Sequence, residues 1–401
     1  MAAAPLGDGA ACAEARTRRA GAQRRAGAER RARGHGRAAA ALLPPVLGRD
    51  PRQRRSRVVK LEVQRRTFAL VRPLRASYGE LHERELVWIS LTGADGVSGY
   101  GEAAPLEPYD RVGVGRVEQA LGSYREVLAG LREDDGPRIL EACRAADDLP
   151  VALAAVDLAL WDRAGRRAGK PVAALLTDVP AAGIPVNATI TELDRVRAAE
   201  QAAHAVQDGF TCLKLKVGIG DDAGRVAAVR AAAGPEVALR LDANGAWGVD
   251  EAVRRIEALS PVGLELVEEP THGLRAVRAV RERVAVRVSI DETAAEPGAL
   301  GAGVADAVCL KIARCGGIAA LLASAALVRG TGAEVYLAST LDGPLGVAAA
   351  LHAAAALASR GPLAPCGLAT LGLLDGIGDP LPVRDGVMAL PDSPGLGVEP
   401  L

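Results

Sequence analysis

Residues 212–244 read CLKLKVGIGDDAGRVAAVRAAAGPEVALRLDAN. The apolar run at 212–217 is short and stops at Gly218, so it reads as a buried strand. An Ala-rich amphipathic stretch at 221–233 follows and reads as a helix. Residues 238–242 supply a second strand. Strand, helix and strand in this order and at this length imply a parallel sheet. The alternation continues on both sides. Further strands are expected at 184–190, 263–268, 286–291, 306–311 and 334–338, with a weaker one at 365–369. Helices fit between them near 193–208, 249–258, 273–283, 296–302, 316–330 and 344–358. Eight strands within about 190 residues indicate a closed α/β barrel of the TIM type rather than an open sheet.

A charge marks the end of each strand from the second to the sixth: Lys216, Asp242, Glu268, Asp291 and Lys311, at intervals of 26, 26, 23 and 20 residues. Each therefore recurs once per β/α unit, at the C-terminal strand end where barrel enzymes keep their chemistry. One strand-end charge is ordinarily a solvated loop residue. Five in succession, several behind mostly apolar runs such as LELVE and VCLK, are costly to bury unless paired or metal-bound.

Asp242, Glu268 and Asp291 come from adjacent strands, and three converging carboxylates repel unless a cation lies between them. Oxygen ligands without His or Cys suit Mg²⁺, with Mn²⁺ as a substitute. Lys214 and Lys216 point the same way from one strand, as do Arg240 and Asp242. Desolvation and the neighbouring Lys214 are expected to depress the Lys216 pKa into the range of a base, with Lys311 facing from the opposite side. This constellation predicts removal of a proton α to a carboxylate, with the cation stabilising the enediolate.

The chain has 401 residues, 49% apolar and 2% aromatic, so Ala, Val and Leu must fill the core. Few aromatics argue against a reader of stacked nucleic-acid bases. The zero net charge is uneven: residues 1–57 hold 14 Arg and four acids, a balance of +10, and the remainder carries −10. That leader cannot bury a core and is expected to be disordered. The six cysteines, at 12, 143, 212, 309, 315 and 366, form no CxxC pair. No disulfide framework is implied, and Cys212 and Cys309 read as small core residues. The Ala-rich run at 348–358 is short and interrupted by His352, so no membrane span is expected and the location is read as cytoplasmic.

Order is expected from Val58. Strands near 58–68, 86–92 and 97–101, with a turn at Asp95-Gly96, precede helices near 113–132, 136–146 and 151–168. This describes a small α+β domain in which 75–82, carrying Ser77, Tyr78 and Gly79, is a loop between strands.

Taken together, KLKVG around Lys214 and Lys216, RLDANGAW around Asp242 and Asn244, VEEP at Glu268 and Glu269, IDET at Asp291 and Glu292, and CLKIARCGGI at Lys311 resemble the enolase superfamily, in its muconate-lactonising subgroup. The resemblance covers about residues 58–401. It implies an N-terminal α+β capping domain over a modified (β/α)₇β barrel. The domains would be a leader at 1–57, the cap at 58–170, the barrel at 171–370 and a C-terminal segment at 371–401 returning to the cap. It makes Asp242, Glu268 and Asp291 ligands of Mg²⁺, and Lys216 and Lys311 the acid/base pair supported by Lys214 and Asn244. Glu269 and Glu292 become supporting or surface carboxylates. Cap loops 75–82 and 102–109 would close over the substrate, with Ser77, Tyr78, Ser339 and Arg240 as substrate-binding or supporting residues.

The absence of His at 334–338 disfavours the branches that use a histidine base. Residues 364–370 lack the Asp-x-Asp typical of dipeptide epimerases. Asp342 is a short substitute for the glutamate of cycloisomerases. The stretch from Ser339 through Gly367-Leu368 to 394–398 looks most like o-succinylbenzoate synthases of menaquinone biosynthesis. That implies a lyase acting on a small carboxylate, without nucleic acid or membrane, and compatible with a homo-oligomer. Dipeptide epimerase, N-acyl amino acid racemase and muconate cycloisomerase are the alternatives with the same two lysines.

Overall fold

The computed structural model describes residues 59–76, 79–131 and 135–400. The expected leader, Ser77 and Tyr78 lie outside the described residues. Three antiparallel strands open the fold: β1 (Lys60–Ala76), β2 (Gly79–Thr92) and β3 (Ser98–Ala103), in spatial order β1-β2-β3. The first two run further than expected. Residues 75–82 are mostly paired strand, with Arg75 opposite Glu80 and Ala76 opposite Gly79, beyond an irregularity between Ala69 and Leu74. Leu70, Leu74 and Ala76 are buried along this stretch, but the irregularity between Ala69 and Leu74 breaks the apolar alternation. Charge pairs Arg65–Glu85 and Arg75–Glu80 join the two strands.

Helices α1 (Val114–Gly130), α2 (Gly136–Ala146) and α3 (Pro150–Ala168) pack on this sheet. Pro150 suits the first turn of α3, and Gly169 ends it in the left-handed conformation with φ 64°. Gly99 and Gly101 let α3 lie directly on β3: a Cβ at Gly101 would sit 2.0 Å from the Ala155 carbonyl oxygen. Most of α3 is buried, because its other side meets the barrel. There Asp157 accepts the Ile318 backbone N–H at 2.6 Å.

The expected strand at 184–190 divides. Residues Gly183–Pro185 form β4, which joins a small antiparallel sheet with β13 (Val387–Ala389) and β12 (Val383–Arg384). Residues Ala188–Ile190 form β5, the first of seven parallel strands. The others follow in sequence order: β6 (Cys212–Lys216), β7 (Ala238–Asp242), β8 (Leu266–Glu268), β9 (Arg287–Ile290), β10 (Ala307–Leu310) and β11 (Glu334–Leu337). The weak eighth strand is reduced to bridges of Cys366 with Val186 and of Gly367 with Ala338, which link the two edges of the curled sheet.

The connecting helices are α4 (Arg195–Gln207), α5 (Asp222–Ala233), α6 (Val249–Leu259), α7 (Leu274–Arg281), α8 (Ile318–Arg329) and α9 (Pro344–Ala358). Instead of the helix expected at 296–302, two 3₁₀ turns lie at Glu292–Ala295 and Ala299–Gly301. Pro297 and Gly298, the latter at φ 86°, interrupt the chain between them. The Ala-rich α9 is buried nearly all round, which explains its uniform composition. Among the described residues no helix is long and apolar enough to cross a membrane. The C-terminal stretch runs back along the first domain. Asp375 N–H donates to Ala69 O at 2.8 Å, and Leu396 N–H to the buried Asp162 at 2.7 Å.

Candidate active site

The parallel register lines up the strand-end charges. Lys216 pairs with Asp242, and Asp242 with Glu268, across β6, β7 and β8. Asp291 and Lys311 stand directly after β9 and β10. Asp242, Glu268, Asp291 and Lys311 are all buried. Lys214 Nζ bridges two of the carboxylates, at 2.9 Å from Asp242 Oδ2 and 2.7 Å from Glu268 Oε1. Lys216 Nζ donates to Asp242 Oδ2 at 2.8 Å and to Asn244 Oδ1 at 2.5 Å. Lys311 Nζ donates to Asp291 Oδ2 at 2.6 Å from the other end of the row.

Burial would raise the Asp242 carboxyl, but Lys214 and Lys216 hold it well below its ordinary range. Asp291 is likewise lowered, burial being outweighed by Lys311 and Arg314. Glu268 is raised, because burial exceeds the opposing effect of Lys214. Burial disfavours charge on Lys214 and Lys311, yet the adjacent carboxylates raise both above the ordinary lysine value. Lys214 lies against Asp242 and Glu268, and Lys311 against Asp291, so for these two lysines the carboxylates outweigh burial.

The donor set fits a hard divalent cation. Glu268 and Asp291 oxygens lie within 4.8 Å of one another and of the Cys309 sulfur. Asp242 is tied to the same group through Lys214. Cys309, read as a core residue, packs against the carboxylates, and burial first, then those charges, push its thiol well above its ordinary value. It is a neutral neighbour, so the charged donors are all carboxylate oxygens.

The turns after the strands are built by the adjacent acids. Asn244 and Glu269 adopt left-handed φ values of 42° and 40°. Glu269 is fully buried and accepts from the backbone N–H groups of Asp291 at 2.8 Å and Thr293 at 3.0 Å. It thereby ties the end of β8 to the loop that carries Asp291. Glu292 accepts from Asn244 Nδ2 at 2.9 Å. Burial and then Asp291 push its carboxyl up to about 8.

A cavity of about 80 Å³ lies over this row, lined by Lys214, Lys216, Asp242, Asn244, Lys311 and Ser339. Leu74, Leu106 and Tyr109 cover it from the first domain. Ser339 Oγ accepts from the Asp342 backbone N–H at 2.8 Å and from Thr370 Oγ1 at 3.0 Å. A larger groove of about 990 Å³ lies outside, between the tip of the β1–β2 hairpin and α4, and shares Leu74 and Leu373 with the cavity. It contains none of the strand-end charges.

Of the two readings given for Arg240, substrate-binding or supporting, its placement fits the second, since it is not among the residues lining the cavity. Its guanidinium is fixed to Glu265 at 2.7 and 3.1 Å and to Pro365 O at 2.7 Å, so it supports the barrel interior. Its position two residues before Asp242 gives it the same face but a lower layer. Asp342, considered as a shortened catalytic glutamate, is fully buried and faces Glu102 of the first domain instead. Tyr78 lies outside the described residues.

Several cavity residues escaped the sequence reading. Tyr109 OH donates to Asp291 Oδ1 at 2.6 Å and receives hydrogen bonds from Lys311 and Arg314, both at 2.6 Å. Asn187 is buried with Nδ2 lacking a protein partner, and Thr340 Oγ1 is in the same condition; both residues line the cavity. No local spacing identifies them. Tyr109 was legible only as the end of a cap loop.

Comparison with known proteins agrees with this architecture. Residues 58–177 match the family model for the mandelate racemase / muconate lactonizing enzyme N-terminal domain, and residues 197–401 match the enolase C-terminal domain-like model. Muconate cycloisomerase 1 of Rhodococcus opacus is 30% identical over 360 residues, covering 85% of this chain and 95% of that protein. An o-succinylbenzoate synthase of Thermobifida fusca is 40% identical over 216 residues, 51% of this chain and 66% of that one. The crystal structure of a dipeptide epimerase from Enterococcus faecalis V583, complexed with Mg and the dipeptide L-Leu-L-Tyr, superposes with a TM-score of 0.78 at 26% identity. It covers 84% of this chain and 99% of that one.

Proposed function

Because this chain belongs to the enolase superfamily, in the muconate-lactonising subgroup, we propose that it removes a proton α to a carboxylate in a Mg²⁺-dependent reaction, most specifically the dehydration that forms o-succinylbenzoate. The observation that carries the proposal is the placement of Lys216 and Lys311 at opposite ends of the carboxylate row, both lining one covered cavity. Asp242, Glu268 and Asp291 would hold the cation. When bound, it would supply the positive charge that stabilises the second negative charge developing on the substrate carboxylate.

Lys216 takes the α-proton, and Asn244 orients its amine through the 2.5 Å hydrogen bond. The C–H electron pair becomes a ring double bond as the C–O bond on the same face breaks. Lys216, now an ammonium, returns its proton to the departing hydroxide, so one water leaves and the ring becomes aromatic. Lys311 keeps its proton and stabilises negative charge from the other side. Leu74, Leu106 and Tyr109 exclude water above the reacting carbon. Asn187 Nδ2 and Thr340 Oγ1 are the donors available to the distal polar groups of the substrate.

The 40% identity to an o-succinylbenzoate synthase, over about half of this chain, supports the lyase reading. So does the region from Ala364 to Thr370, which offers no acid to hold a dipeptide ammonium. A substrate panel tests the choice: 2-succinyl-6-hydroxycyclohexa-2,4-diene-1-carboxylate, cis,cis-muconate, N-succinyl amino acids and L-Ala-L-Glu, each with Mg²⁺ and with EDTA. The proposal expects rapid Mg²⁺-dependent turnover of the first. Faster turnover of any other substrate would replace the dehydration with that reaction.

A further inference from the structure

Glu268 is held from two sides. Its Oε1 accepts from Lys214 and faces the carboxylate row. Its Oε2 accepts from Tyr336 OH at 2.7 Å. Tyr336 lies on β11 and reaches across the barrel interior to β8. The same phenol is 3.0 Å from Ser289 Oγ, on β9 beside Glu268. With the phenol proton committed to the carboxylate, the serine hydroxyl donates to the phenol oxygen, giving the chain Ser289 to Tyr336 to Glu268. The Arg240 guanidinium packs over the ring, 5.0 Å from its centre. Arg240 is itself locked by Glu265 and Pro365, so the ring cannot swing away. Tyr336, Ser289 and Glu268 are all buried.

We infer that Tyr336 is a positioning residue for the cation site: it engages Glu268 Oε2 so that Oε1 alone is presented to a divalent ion. The inference rests on the reading of Glu268 as a ligand. A hydrogen bond that orients a ligating carboxylate ordinarily contributes ten- to a hundredfold in metal affinity. Tyr336 would act through Glu268, without touching substrate, and its ring would serve separately to cover Arg240.

The test is Mn²⁺ binding to the EDTA-stripped full chain, followed by electron paramagnetic resonance, for wild type, Tyr336→Phe, Ser289→Ala and Glu268→Gln. Phe keeps the ring over Arg240 and removes only the hydroxyl. The expected result is a dissociation constant raised about tenfold or more in Tyr336→Phe. A smaller rise is expected in Ser289→Ala, and loss of binding in Glu268→Gln, with the melting temperature in EDTA little changed for the Phe variant. Wild-type affinity in Tyr336→Phe, alongside lost binding in Glu268→Gln, would overturn the positioning role and leave the ligand assignment standing. Absence of Mn²⁺ binding by the wild type would overturn both. If the Phe variant does not fold, Ser289→Ala decides, and an unchanged affinity there overturns the inference.

Discussion

Lys216 and Lys311 differ in their surroundings although both lie against carboxylates. Lys216 shares Asp242 with Lys214 and is steadied by Asn244, whereas Lys311 is enclosed by Asp291, Tyr109 and the Tyr109 ring at 4.0 Å. The first arrangement suits a group that gives and takes a proton, and the second a group that stays charged. Lys216→Ala is expected to lower kcat by at least a hundredfold, the ordinary minimum for loss of a general base. Circular dichroism should be unchanged; near-wild-type kcat would remove Lys216 from the mechanism. Tyr109→Phe leaves Lys311 without its phenol acceptor and should lower kcat roughly tenfold, as for loss of one hydrogen bond to a charged group. An unaltered kcat and KM would make the phenol a structural contact only. The charged members of the site were legible in the sequence because each follows an apolar strand. Tyr109 was not, because its partners lie 182 and 202 positions away and are brought to it only by the packing of cap on barrel.

At the scale of elements, the seam between β3 and the start of α9 carries a buried acid pair. Glu102 accepts from Trp88 Nε1 at 2.9 Å and from the Gly343 N–H at 2.7 Å, and Asp342 lies beside it. Burial, then the neighbouring Asp342, pushes Glu102 up to about 8, and burial pushes Asp342 up to about 6. The folded chain therefore keeps protons that the unfolded chain releases at ordinary carboxylate pKa values. Their contribution to stability is complete below about pH 4 and is lost as pH rises through about 6 and then about 8. Urea unfolding between pH 6 and 9 should show stability falling, with a shallower slope in Glu102→Gln; identical slopes would refute the assignment. Gly101→Ala tests the other contact of β3. Its Cβ would lie 2.0 Å from Ala155 O, so overpacking should cost about 1–3 kcal/mol or more. An unchanged urea midpoint would contradict that packing. Most strands and helices were legible from apolar periodicity. The long β1–β2 hairpin and the divided first barrel strand were not, since the irregularity between Ala69 and Leu74 interrupts the alternation of one and pairing with the distant β13 splits the other.

For the whole molecule, the two structural layers meet at the carboxylate row: the barrel supplies the charges and the first domain supplies the cover. A cation that binds only the folded chain should stabilise all of it by mass action, about 2.7 kcal/mol at a hundred times its dissociation constant. Differential scanning calorimetry with Mg²⁺ and with EDTA should show that shift, and Asp242→Asn should abolish most of it. The barrel was readable from its repeat, whereas the fit of the cap was not, because one chain stretch gives no measure of a surface formed by two others. The proposed removal of an α-proton by Lys216 in a Mg²⁺-dependent reaction is tested by following o-succinylbenzoate formation from the cyclohexadiene substrate by wild type and Lys216→Ala, with Mg²⁺ and with EDTA. Rapid product formation is expected from the wild type with Mg²⁺ alone, and at least a hundredfold less from the variant. Product formed at comparable rates by Lys216→Ala, or by the wild type in EDTA, would contradict the proposal.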